Sequence, residues 1–196
     1  MHNNIIGLGL AAAAVLVLPG LGFAEPVSGK DALKQVFSPK GAEVEMLPLD
    51  GLSAENAALL QQVAQDYAYY AAVAIAPEEE LLKSEATVLV ANHHSVEAAT
   101  QAALAGCNKA RTSAKECAIV AVVRPKEWAP RDLQLSIEAT IALEKDYGKS
   151  GERAMATSAE TGFFALAKGA GAQDAAVKAC TDKGAKDCVV VVADAE

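Results

Sequence analysis

Aromatic side chains are scarce in this sequence: they make up 5% of its 196 residues and include a single tryptophan. So little ring area leaves little material for base-stacking platforms or carbohydrate shelves. Basic residues are outnumbered by acidic ones, 17 to 25, which sets the net charge at −8. Nucleic acid and anionic membrane surfaces repel a body of that sign. Several chemical signatures are missing as well. There is no Cys-x-x-Cys pair for zinc or thiol redox work, no G-x-S-x-G elbow and no G-x-x-x-x-G-K phosphate loop. The alternating oxygen ligands of a calcium loop are also absent. No specific activity can be read from what remains, but a compartment, an architecture and a disulfide framework can.

Residues 1–24 contain no charged side chain. An apolar run from Ile5 to Leu18 leads to Pro19 and Gly20, and Gly22 and Ala24 supply the small residues that a signal peptidase needs before its cut. This pattern predicts a secretory signal cleaved after Ala24, although its n-region has no Lys or Arg. The competing reading is a retained anchor, for which the 14-residue run is short, since a helical span needs about 20 apolar residues. The expected location is periplasmic or secreted, with no membrane association after cleavage. Four cysteines, Cys107, Cys117, Cys180 and Cys188, agree with export, because an even count in an exported chain suggests disulfides.

Landmarks recur along the chain in one order. AALAGC ends at Cys107 and AAVKAC at Cys180; each is followed by a polar stretch, a second Cys, and the runs CAIVAVV or CVVVVA. Upstream, Leu52-Ser53 with Glu55 matches Leu135-Ser136 with Glu138, Asp66-Tyr67 matches Asp146-Tyr147, and YAAVAIA matches RAMATSA. The expected organisation is a signal at 1–24, an N-terminal segment at 25–38, copy one at 39–123 and copy two at 125–193. Of the three possible disulfide connectivities, the repeat favours Cys107–Cys117 and Cys180–Cys188.

Ser53 and Ser136 are expected N-caps, with Glu55 and Glu138 beside the positive helix end. Leu59, Leu60, Val63 and Tyr67 follow at helical spacing. GKSGE after the second helix implies that Ala71–Ala76 is a strand rather than a helix continuation. A second strand spans Thr87–Asn92 and Gly162–Lys168, a second helix begins near Ser95 and Ala172, and the strand after each second Cys is apolar on both faces, as for a strand in mid-sheet. The predicted fold class is α+β: a duplicated α-β-β-α-β unit forming one compact two-copy domain with about six strands. Small residues on the second helix allow close approach to the sheet and leave little room for a cofactor.

Residues with potential for chemistry read mostly as structure. His93-His94 has no partners at ligand spacing and is expected on the surface. Ser95 reads as an N-cap, Glu78–Glu80 as a solvated turn, and Gly169 and Gly171 as strand-to-helix turn residues. Tyr67 and Tyr147 are expected to pack at helix ends, with a ligand clamp as the alternative that makes them candidate binding residues. Trp128, held between Pro125 and Pro130, is either an inter-copy packing residue or a contact for a partner.

The unit running from Ala72-Val73-Ala74 to Cys117-Ala118-Ile119-Val120, and again from Ala154-Met155-Ala156 to Cys188-Val189-Val190-Val191, resembles a family of small secreted bacterial alanine-rich Cys-pair repeat proteins of unknown function. The EPVSG, PKGAEVEMLP and RPKEW segments also resemble exported proteins sometimes labelled 5-aminolevulinate synthase. That label lacks chemical support here: no segment supplies a Schiff-base lysine, a pyridine-nitrogen partner and a phosphate cup. The expectation is a non-catalytic exported structural or binding module with an unknown protein or small ligand as partner, and no catalytic, metal or cofactor site. The alternative is a small exported enzyme with a carboxylate-based site.

Overall fold

In the computed structural model residues 25–195 are described, and the expected signal, residues 1–24, lies outside the described residues. The chain is a mixed α+β protein with five helices and seven strands in two sheets among the described residues. After α1 (Gly29–Gln35) and β1 (Ala42–Met46), the first half continues with α2 (Ala54–Ala64), β2 (Ala71–Ile75), β3 (Val88–Val90), α3 (Val96–Ala110) and β4 (Ala118–Pro125). The second half runs α4 (Ile137–Lys145), β5 (Arg153–Thr157), β6 (Phe164–Lys168), α5 (Ala172–Thr181) and β7 (Val189–Asp194).

Serine side chains start four of these helices: Ser28, Ser53, Ser95 and Ser136 each accept from the amide three residues on. Gly171 starts α5 in the left-handed region, φ 77°. All strand pairs within the two sheets are antiparallel, in the orders β1-β4-β2-β3 and β6-β5-β7.

Each sheet is covered on both faces, which explains why its central strand shows no polar alternation. On β2, Ala72 and Ala74 meet Ala99, Ala103 and Cys107 of α3, while Ala71, Val73 and Ile75 meet Leu60 and Ala64 of α2. On β5, Ala154 and Ala156 meet Ala172, Ala176 and Cys180 of α5, while Met155 packs with Ala139 and Leu143 of α4 and Ala32 of α1. The helix residues at the alanine contact recur every fourth position, one per turn on one face.

Both disulfides join a helix end to the next strand's approach: Cys107–Cys117 and Cys180–Cys188, with Cα atoms 6.1 Å apart in each. The pairing within each half is as expected. In each half the central strand also slips register against the last strand. Val73 pairs Ala121 and Ala74 pairs Ile119, skipping Val120; Met155 pairs Val192 and Ala156 pairs Val190, skipping Val191. The extra residue falls three positions after the second cysteine both times.

Three expectations need correction. Seven strands form where about six were expected, because β1 inside 39–123 pairs with β4, and α1 adds a helix in the 25–38 segment. Strand β4 is internal as predicted, but β7 lies at the edge of its sheet, bridged in parallel only by Val27. Its apolar character serves the two helical layers instead. His93 and His94 are buried, not on the surface.

No helix among the described residues is long and apolar enough to cross a membrane. Removing either disulfide as a double Cys→Ala variant is expected to cost about 2.5–3 kcal/mol, the loop-closure value for these short loops. Urea unfolding of each variant, together with non-reducing peptide mapping of the native chain, checks this; recovery of Cys107 linked to Cys180 would contradict the connectivity.

Candidate functional site at the junction of the two sheets

The polar and aromatic groups that an alanine-rich chain can spare are concentrated where the halves meet. Tyr69 and Tyr70 precede β2 and are fully buried, with their rings edge to face at 5.2 Å. The Tyr69 hydroxyl lies 3.2 Å from the carbonyls of both Phe37 and Ser38, to which it can donate. Burial pushes both phenols up from their ordinary values. Ile137 of α4 and Trp128 of the linker pack against the same cluster.

His94 bridges the halves directly. Its Nδ1 accepts from the backbone N–H of Ser136 at 3.2 Å, so that nitrogen is unprotonated, and Nε2 donates to the carbonyl of Phe163 at 3.2 Å. The ring meets Phe164 edge to face at 6.4 Å. One neutral tautomer therefore satisfies both contacts. Burial lowers its pKa to about 4, with the Phe163 carbonyl acting the other way. His93 is also lowered, by burial first.

The β5–β6 turn reaches this point because Gly162 sits at φ +71°, where a Cβ would lie 2.6 Å from the carbonyl oxygen of Asn92. Ser158, fully buried at the same turn, donates to Asp187 and accepts from both the amide and the hydroxyl of Thr161. The second oxygen of Asp187 accepts from the amide of Glu160 at 2.9 Å. The first half solves the same problem with the carboxylate on the opposite loop. Glu79 accepts from the amides of Thr112 and Ser113 at 2.7 and 2.8 Å and from Ser84 Oγ at 2.5 Å. These hydrogen bonds, Ser84's first, hold its pKa down to about 2. In each half a carboxylate ties the hairpin turn to the disulfide loop. The Glu78–Glu80 turn is thus not merely solvated, as the sequence suggested.

The other residues singled out in sequence separate. Trp128 is half-buried, donates from Nε1 to Gln134 Oε1 at 3.1 Å, and lies under the guanidinium of Arg124 at 4.9 Å. It packs at the junction, one of the two roles expected. Tyr147 is buried as expected and donates to the carbonyl of Arg153 at 3.2 Å. Tyr67, expected to pack likewise, is 42% exposed. The difference is α1, which lies over Tyr147 so closely that a Cβ on Gly29 would be 2.5 Å from its Cε1. Nothing comparable covers Tyr67 among the described residues.

Sequence reasoning missed Arg131. It donates to the carbonyls of Gln35 and Val36 at 2.6 and 2.9 Å and lies 3.6 Å from the Phe37 ring centroid, fastening the end of α1 to the linker. Its only sequence signal was a charged residue in a linker beside two prolines. Among the described residues, no group of three or more His, Cys, Asp or Glu side chains is placed to hold a metal ion. Comparison of the chain with protein-family models, curated proteins and solved structures finds no match.

Acid should loosen this junction. Between its ordinary value of 6.5 and its folded value of about 4, His94 takes up a proton in the unfolded chain but not in the native one. Its share of stability is therefore fully present above pH 6.5 and is lost as pH falls toward 4, a change of about 3 kcal/mol; His93 acts in the same direction. Urea midpoints measured from pH 7.5 to 4 check this, and His94→Gln should flatten the slope. For Trp128→Ala, half-burial sets an expected cost of about 1–3 kcal/mol, below that of a fully buried ring; thermal denaturation reads it directly.

Proposed function

We propose that the protein is an exported, disulfide-fastened, non-catalytic structural or binding module built from two copies of one α-β-β-α-β unit. The observation that carries this reading is the use of its scarce chemical side chains for fastening. His94 joins α4 to the β5–β6 turn, and Glu79 and Asp187 each cap a loop through at least two hydrogen bonds. A carboxylate-based enzyme would need such groups turned toward a substrate rather than held by backbone amides. The duplication is supported by the equal placement of both disulfides and both register slips, and by a carboxylate tie between the same two loops in each half, anchored from opposite ends. Similarity to the secreted Cys-pair repeat proteins fits the same reading. Two disulfides fit an oxidising compartment, periplasmic or extracellular.

Expression of the full chain with its natural N-terminus tests the proposal. The expected product is found outside the cytoplasm, begins at Glu25, contains both disulfides and unfolds in urea in one transition, because the junction couples the halves. A full-length chain held in the membrane would refute cleavage and export. Two separate transitions would refute a single coupled module.

A further inference from the structure

The charge of this chain is unevenly distributed, and one concave region carries the opposite sign to the whole. A pocket of about 330 Å³ lies between α1, the C-terminal end of α4 with the loop that follows, and the first residue of β5. Lys30, Lys145, Lys149 and Arg153 line it, against the single acid Glu144. Ten lining residues drawn at the chain's average composition would include about one base and slightly more acid. Lys30, Lys145 and Lys149 come from both sides of the pocket, are exposed, and form no ion pair among the described residues.

Arg153 is held differently. It is buried, pairs with Asp194 at 3.3 Å, donates to the carbonyl of Gly151 and lies 5.4 Å from the Tyr147 ring centroid. Its position is fixed by these contacts, so it forms the buried end of the pocket while the three lysines form an exposed rim. Lys145 also complements the C-terminus of α4, a purely local role. Lys30 and Lys149 lie on α1 and on the following loop, where that explanation does not reach. The remaining wall is apolar: Leu143 and the Tyr147 ring are buried beneath, and Leu33 stands beside them 48% exposed.

We propose that this pocket binds a small organic anion, a carboxylate or phosphate group carried on a short apolar body. The rim lysines would take the charged group and the Leu33, Leu143 and Tyr147 surface the apolar part. The volume lies at the lower end of the range for small-ligand sites, which suits a compact molecule rather than a nucleotide or a protein segment. Asp194 also reaches this region, accepting from the amide of Gly29, but it is paired with Arg153. Screening confines the field of more distant carboxylates to about 8–10 Å, so the three lysines outweigh Glu144 in the field that an approaching ion meets. Among the described residues α1 packs on α4 and β7, so this wall belongs to the second half. The proposal rests on reading the chain as a binding module and gives that module a ligand class.

Amide chemical-shift titration of the mature, oxidised protein with hexanoate, hexyl phosphate and uncharged hexanol tests it. Saturable shifts at Gly29, Lys30, Gly148 and Lys149 are expected with at least one of the two anions, with hexanol at least about tenfold weaker. The stronger anion identifies the headgroup. The variant Lys30→Gln/Lys149→Gln should bind at least about tenfold more weakly while its thermal midpoint and disulfides stay unchanged, since both side chains are exposed. Equal response to hexanol, shifts located elsewhere, no shift with either anion, or undiminished binding by the double variant would each overturn the site. None of those results touches export or cooperative unfolding, so failure here is distinguishable from failure of the module reading.

Discussion

Two helices approach their sheets through alanine. Ala99 and Ala103 of α3 rest on Ala72 and Ala74, and Ala172 and Ala176 of α5 rest on Ala154 and Ala156, all fully buried. With only methyl groups between backbone layers, helix and sheet come close, and there is no slack into which a larger side chain can turn. The disulfides depend on this spacing. Each fastens the last turn of the alanine-faced helix to the strand beside it, at a Cα separation of 6.1 Å that lies within the ordinary range for a cystine.

Close packing within the halves displaces bulk to their junction. The large rings of Tyr69, Tyr70 and Phe37 extend the α3 cluster toward Trp128 and Ile137, where the halves meet. Rings and backbone ends that meet at a junction bring polar atoms with them, and buried polar atoms must be paired. His94 answers two such demands at once, accepting at one nitrogen and donating at the other. It can do so only while neutral, a state that its burial favours.

The N-terminal segment makes two similar halves unequal. By lying over α4 and β7, α1 buries Tyr147 and builds a walled, lysine-rimmed pocket, while Tyr67 at the matching place stays exposed. The difference between the halves comes from a seven-residue helix that covers only one of them.

Much of this was legible in the sequence. Serine caps, glycine-bearing loops and the ordered Cys pairs located α2 through β7, apart from the end residues, because capping and turn geometry are decided within a few neighbouring residues. Disulfide pairing was legible too, since a short loop between helix end and strand restricts which sulfurs can meet. The contributions of α1 and β1, the burial of His93 and His94, the edge position of β7 and the different fates of Tyr67 and Tyr147 were not. Each depends on which distant segment covers a given surface, and periodicity marks a face as apolar without naming its cover. The signs of the charges around Lys30, Lys145 and Lys149 stood in the sequence from the start. Their convergence on one pocket was decided only by folding, because Lys30 lies more than a hundred positions from the other two along the chain, and a shared electrostatic field depends on distance in space.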